Sequence, residues 1–74
     1  MTTQYTITAG NSSTDLGRVG TASTPAAARR IGRDTVRAYL PDGEGSYKVI
    51  DADGREVLTG ERSMRTDRKW VERN

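Results

Sequence analysis

The stretch Thr24–Leu40, T-P-A-A-A-R-R-I-G-R-D-T-V-R-A-Y-L, followed by Pro41, constrains this chain more than any other. Thr24 suits a helix N-cap, because its hydroxyl can accept from backbone N–H groups of the first turn. Pro25 then occupies the first helical position, where its missing N–H costs nothing and its fixed φ suits the helix. Pro41 disfavours helical geometry at Leu40 and predicts the end. At about 100° per residue, Ala27, Ala28, Ile31, Thr35, Ala38 and Tyr39 share one arc of about 120°. Arg29, Arg30, Arg33 and Arg37 fall opposite, and Val36 and Leu40 lie on the flank beside Arg29. Gly32 costs roughly 1 kcal/mol relative to alanine and marks a place where the helix bends or stops. A competing reading makes Thr35–Leu40 a strand, since Val36, Ala38 and Leu40 also alternate; the long helix is adopted. Its apolar arc is thin and alanine-rich, which predicts close packing on a sheet.

Before that helix, Gln4–Ala9 alternates, with Tyr5, Ile7 and Ala9 on one face of a half-buried strand. Gly10–Asp15 has turn composition. Gly17–Ala22 supplies a weak second strand with Val19 as its strong apolar residue, and a hairpin is preferred here to a flexible loop. After the helix, Pro41–Gly45 reads as an exposed turn. Ser46–Ile50 and Glu56–Gly60 then flank D-A-D-G, in which Gly54 can take the left-handed position of a tight hairpin. Tyr47 and Val49 share a face with Val57, and Ile50 and Leu58 take the opposite parity. Glu61–Arg68 is a charged connection, and Lys69–Arg73 is a short closing strand. The expected fold is α+β: an antiparallel sheet of four or five strands with one helix packed on one face, in the order β(β)αβββ. Residues 1–74 are read as one small domain, with Tyr5, Ile7, Ala28, Ile31, Tyr47, Val49, Val57 and Trp70 as its core.

Composition narrows the chemistry. The chain has no cysteine and no histidine, which removes disulfides, thiolate nucleophiles and the usual zinc ligands. A serine or threonine nucleophile would need a lysine or carboxylate base, and none stands in evident register with Ser12, Ser13, Ser23, Ser46 or Ser63, so a non-enzymatic protein without cofactor or metal is expected. Asp51, Asp53 and Glu56 crowd one hairpin, but an EF-hand calcium loop needs about twelve residues and a bidentate glutamate at its end, so a turn is expected. M-T-T-Q-Y-T-I-T lacks the basic and apolar regions of a signal peptide, and no run reaches the roughly 18 apolar residues of a membrane span. These readings are compatible with the cytoplasm and predict no membrane association.

Charge is unevenly placed. The overall balance is +2, from twelve Lys+Arg and ten Asp+Glu. Residues 25–40 carry four arginines against Asp34, a net of +3. Residues 41–60 carry two bases against five acids, a net of −3, and residues 61–74 five bases against three acids, a net of +2. Ten of the twelve bases are arginine, whose fork suits carboxylate and phosphate. Two groups stand out as partner-binding candidates: Arg29, Arg30, Arg33 and Arg37 on the helix, and Arg65, Arg68 and Lys69 near the C-terminus, where Arg62 and Arg73 add to the charge. Each also has a plainer reading as a solvated surface. Trp70, set among the second group, reads as core, although a base-stacking platform has the same composition.

Together T-A-S-T-P-A-A-A-R-R-I, the hairpin Y-K-V-I-D-A-D-G-R-E-V and the closing D-R-K-W-V-E-R resemble the small phage-encoded type I-F anti-CRISPR proteins of helix-on-sheet fold, over about residues 17–73. Arg68, Lys69 and Trp70 match that family's closing basic-aromatic strand. The resemblance implies a monomeric, non-enzymatic inhibitor acting in the host bacterial cytoplasm. Such an inhibitor docks on a Cas subunit of a crRNA-guided surveillance complex and interferes with target DNA binding. Two alternatives come from the charge pattern: a nucleic-acid-binding module using the arginine helix or the C-terminal basic group, and a phage host-takeover protein that binds an acidic host protein. Weak association with free nucleic acid is expected from the small net charge.

Overall fold

A computed structural model describes residues 4–74. The first three residues of the segment read for a leader lie outside the described range. Among the described residues, five strands form one antiparallel sheet: β1 (Tyr5–Gly10), β2 (Asp15–Ala22), β3 (Gly45–Ile50), β4 (Glu56–Arg62) and β5 (Val71–Arg73). Their spatial order is β2-β1-β3-β4-β5, and a single α-helix, α1 (Pro25–Tyr39), covers one face. The fold is therefore α+β, a helix on an antiparallel sheet. Among the described residues no helix is long and apolar enough to cross a membrane.

Local chemistry accounts for the joints. Asn11 Oδ1 accepts from the backbone N–H of Ser13 and Thr14 at 2.8 and 2.6 Å, closing the turn between β1 and β2. β2 then runs irregularly along β1, with register shifts beside Leu16 and Val19 and Gly17 at φ 67°. These bulges explain why so weak an alternation still pairs as a strand. Thr24 caps α1 by accepting from Ala27 N–H at 3.1 Å. At the other end Leu40 is extended, as the following proline requires, and its N–H still donates to Val36 O at 3.1 Å. In the β3–β4 turn Asp51 Oδ1 accepts from the N–H groups of Asp53 and Arg55 at 2.9 and 3.0 Å, and Gly54 takes φ 84°. The acidic hairpin is thus a turn whose first carboxylate is engaged by its own backbone.

The core is Ile7, Ala9, Ala28, Val36, Leu40, Tyr47 and Val49, with Tyr5, Ile31, Val57, Leu58 and Trp70 partly buried against it. This corrects the helix face read from the sequence. Ala28, Gly32 and Val36 are the buried helical residues, with Leu40 just beyond; Ala27, Ala38 and Tyr39 are exposed, and Ile31 and Thr35 are half-buried. The physical reason is area. An arc through Val36 and Leu40 removes more apolar surface from water than one through alanines. Thr35 instead turns its hydroxyl back to Ile31 O at 2.7 Å. The β3–β4 parity also changes, because a register shift pairs Val49 with Leu58 and Ile50 with Glu56. Val57 sits unpaired at that bulge, so both Val57 and Leu58 reach the core. The closing strand begins at Val71, two residues later than Lys69.

Candidate functional site

Two glycines decide where the central aromatic goes. Tyr47 points from β3 toward the helix, and its ring passes between Gly32 of α1 and Gly60 of β4; a methyl group added at either glycine would overlap the ring. The ring therefore spans the core and delivers its hydroxyl to β5, where it donates to Glu72. Glu72 stands opposite Gly60 and faces the helix side of the sheet. Arg33 reaches down from α1 and donates to both carboxylate oxygens of Glu72, with Nε at 3.2 Å from Oε2. Trp70 closes the cluster, edge-on to Tyr47 at 5.5 Å between ring centres and an interplanar angle of 63°. The Arg33 guanidinium lies 5.6 Å from the Trp70 ring centre, within cation–π range.

The charges in this cluster support each other. Burial pushes the Glu72 pKa up, but hydrogen bonds from Arg33 and Tyr47 and the positive charges of Arg33 and Arg29 outweigh it, so the carboxyl titrates below its ordinary value. Burial, and donation to that carboxylate, push the Tyr47 hydroxyl above its ordinary value. The hydrogen bond to Glu72 holds Arg33 more firmly protonated. The arrangement joins helix, central strand and edge strand, which makes it a structural clasp.

This cluster removes Arg33 from the free basic face expected of the helix. Arg29, Arg30 and Arg37 are exposed and, among the described residues, make no ion pair. Arg29 lies near enough to Glu72 and Tyr47 for its charge to act on both. Arg37 lies beside Gly43, and the Arg62 guanidinium donates to Gly43 O at 2.7 Å and to Arg68 O at 3.0 Å. Arg62 thereby ties the turn after the helix to the turn before β5. Arg68 pairs with Glu44 at 3.7 Å, while Lys69 is exposed.

The second predicted group is divided. Arg68 and Lys69 lie in the turn that Arg62 fastens to the helix exit, whereas Arg65 lines a trough with Lys48 and Arg73 on the opposite side of the sheet. Arg73 belongs to the C-terminal basic group read from the sequence, whereas Lys48 and Arg18 were not singled out. The parity of Lys48, opposite to Tyr47 and Val49, was a readable signal; the strand order that aligns the other two with it was not. Among the described residues no group of three His, Cys, Asp or Glu side chains is placed to hold a metal ion. What the arrangement can do chemically is present the exposed guanidinium forks of Arg29, Arg30 and Arg37 to an anionic surface. Comparison with protein-family models, with curated proteins and with solved structures gives no match for this chain.

Proposed function

We propose that this protein is a non-enzymatic inhibitor that docks on a CRISPR–Cas surveillance complex through the outer surface of α1 and interferes with target DNA binding. The observation that carries the reading is the set of unpaired arginines, Arg29, Arg30 and Arg37, on one helix held rigid at both ends. The planar guanidinium fork gives geometric selectivity for carboxylate or phosphate as well as attraction, which suits docking on a protein–RNA assembly. The three segments that resemble the anti-CRISPR family support the same reading. They form the capped helix start, the β3–β4 hairpin, and the turn before β5 together with β5, with Arg68, Lys69 and Trp70 in that turn rather than in the strand.

The test is target DNA binding by a purified Cascade-type complex with the protein added. The parent is expected to suppress it. Arg30→Glu/Arg37→Glu is expected to keep the parent melting temperature, since both residues are exposed, and to weaken inhibition by at least a hundredfold, because reversing two interface charges costs several kcal/mol. Arg33 is unsuitable for this exchange, because its loss would open the clasp. A parent protein that leaves target binding unchanged would sink the proposal. A folded double variant that inhibits as well as the parent would remove α1 as the interface.

A further inference from the structure

Among the described residues no α-helix covers the face of the sheet turned away from α1, and the middle row of that face has a regular composition. Cross-strand partners share a face of a sheet. Pairing sets Arg18 against Thr8, Thr8 against Lys48, Lys48 against Thr59, and Thr59 against Arg73. The row crosses all five strands as cation, hydroxyl, cation, hydroxyl, cation. With strands roughly 4.8 Å apart, neighbouring cations stand about 10 Å from each other and the row spans about 19 Å. Arg18, Lys48 and Arg73 are exposed. Two shallow troughs run beside Lys48, of about 480 Å³ toward β1 and β2 and about 310 Å³ toward β4 and β5. Arg65 lines the second with Arg73.

The neighbouring rows differ. Glu56 stands in the row on one side, paired with Ile50, and Glu61 in the row on the other, paired with Ser46. Lys48 reaches Glu56 at 3.3 Å, an exposed pair that a phosphate can replace at little cost. Asp15 lines the first trough and Glu61 the second, so the acid-free line of cations is one residue wide, which matches a single phosphate backbone. Among the described residues this face has no aromatic ring: Tyr47 and Trp70 pack together on the helix side, Tyr5 packs against the core, and Tyr39 belongs to α1. Contacts here are therefore to phosphate and sugar, without base stacking.

We propose that the open face of the sheet binds the sugar–phosphate backbone of single-stranded nucleic acid, laid across the strands along Arg18, Lys48 and Arg73, without regard to sequence. The site is separate from the arginines of α1. The experiment is titration of a fluorescent oligothymidylate with the full chain over a salt series. Each neutralised phosphate contributes about −0.7 to the slope of log K against log salt for a single strand, so three contacts predict a slope of about −2. Arg18→Ala/Arg73→Ala is expected to keep the parent melting temperature, lower affinity at least tenfold at low salt and reduce the slope to about −0.7. Arg30→Ala/Arg37→Ala is expected to change neither quantity. No binding at low salt, or a slope moved by the helix variant and unmoved by the sheet variant, would overturn the assignment. Equal affinity for a duplex of the same length would overturn the single-strand specificity.

Discussion

At the scale of single residues, Gly32 inverts the usual rule for glycine in a helix. Replacing an interior helical glycine with alanine normally stabilises by about 1 kcal/mol. Here the added methyl would overlap the Tyr47 ring, and Gly60 meets the same ring from the other side. Overpacking of this kind costs about 1–3 kcal/mol, so Gly32→Ala and Gly60→Ala should each lower stability in urea unfolding. A stabilised Gly32→Ala would mean that Tyr47 does not lie between the two glycines. The clasp beneath the ring predicts a pH dependence with two limbs. Glu72 titrates below its ordinary value in the fold, so its contribution is complete above the unfolded value of about 4.3 and is lost as pH falls through the folded one. Tyr47 titrates above its ordinary value, so its contribution is complete below about 10 and fades as pH rises beyond it. Glu72→Gln should therefore be less stable than the parent at pH 7 and flatter between pH 5 and pH 3. Tyr47→Phe should flatten the alkaline limb. Parallel stability curves for parent and Glu72→Gln across the acid range would exclude Glu72 as a contributor.

The helix shows at the scale of elements what the chain discloses by itself. Its span follows from Thr24, Pro25 and Pro41, and the structure agrees to within a residue. Its buried face does not follow, because alanines and one glycine give the helical wheel little contrast. Area favours the arc through Val36 and Leu40, and Tyr47, a side chain from another element, adds to it because its ring needs Gly32. The consequence is measurable. Val36 is fully buried and Ile31 only partly, so Val36→Ala should cost roughly 2–3 kcal/mol and Ile31→Ala about 1–2 kcal/mol, although isoleucine is the larger residue. The opposite order in chemical denaturation would restore the alanine-centred face. The basic site divides in the same manner. Arg29, Arg30 and Arg37 are visible as an outer stripe from spacing alone, whereas the engagement of Arg33 depends on Glu72, 39 residues further along. The β2 strand was weakly legible because its bulges beside Leu16 and Val19 erase the alternation by which strands are recognised.

At the scale of the whole molecule, the sheet separates two basic surfaces that the linear sequence interleaves. Arg29, Arg30 and Arg37 belong to the helix layer; Arg18, Lys48 and Arg73 stand on the opposite face of the sheet, with core side chains between the two sets. Residues so placed share no partner, so their substitutions should add to within about 0.5 kcal/mol. The prediction is a quadruple variant, Arg18→Ala, Arg30→Ala, Arg37→Ala and Arg73→Ala, compared with its two parent doubles. Its change in unfolding free energy should equal the sum of the doubles, and each should stay close to the parent, since none of the four residues makes an ion pair among the described residues. Functionally, the helix double should alter only inhibition of the surveillance complex and the sheet double only association with single-stranded nucleic acid. A quadruple variant that departs from additivity by more than about 1 kcal/mol would place the two surfaces in energetic contact. The clasp is the route such coupling would take, because Arg33 and Glu72 connect the helix to the strand that carries Arg73. Adding Glu72→Gln to the same cycle should then abolish the coupling, which distinguishes a clasp-borne effect from a general loss of stability.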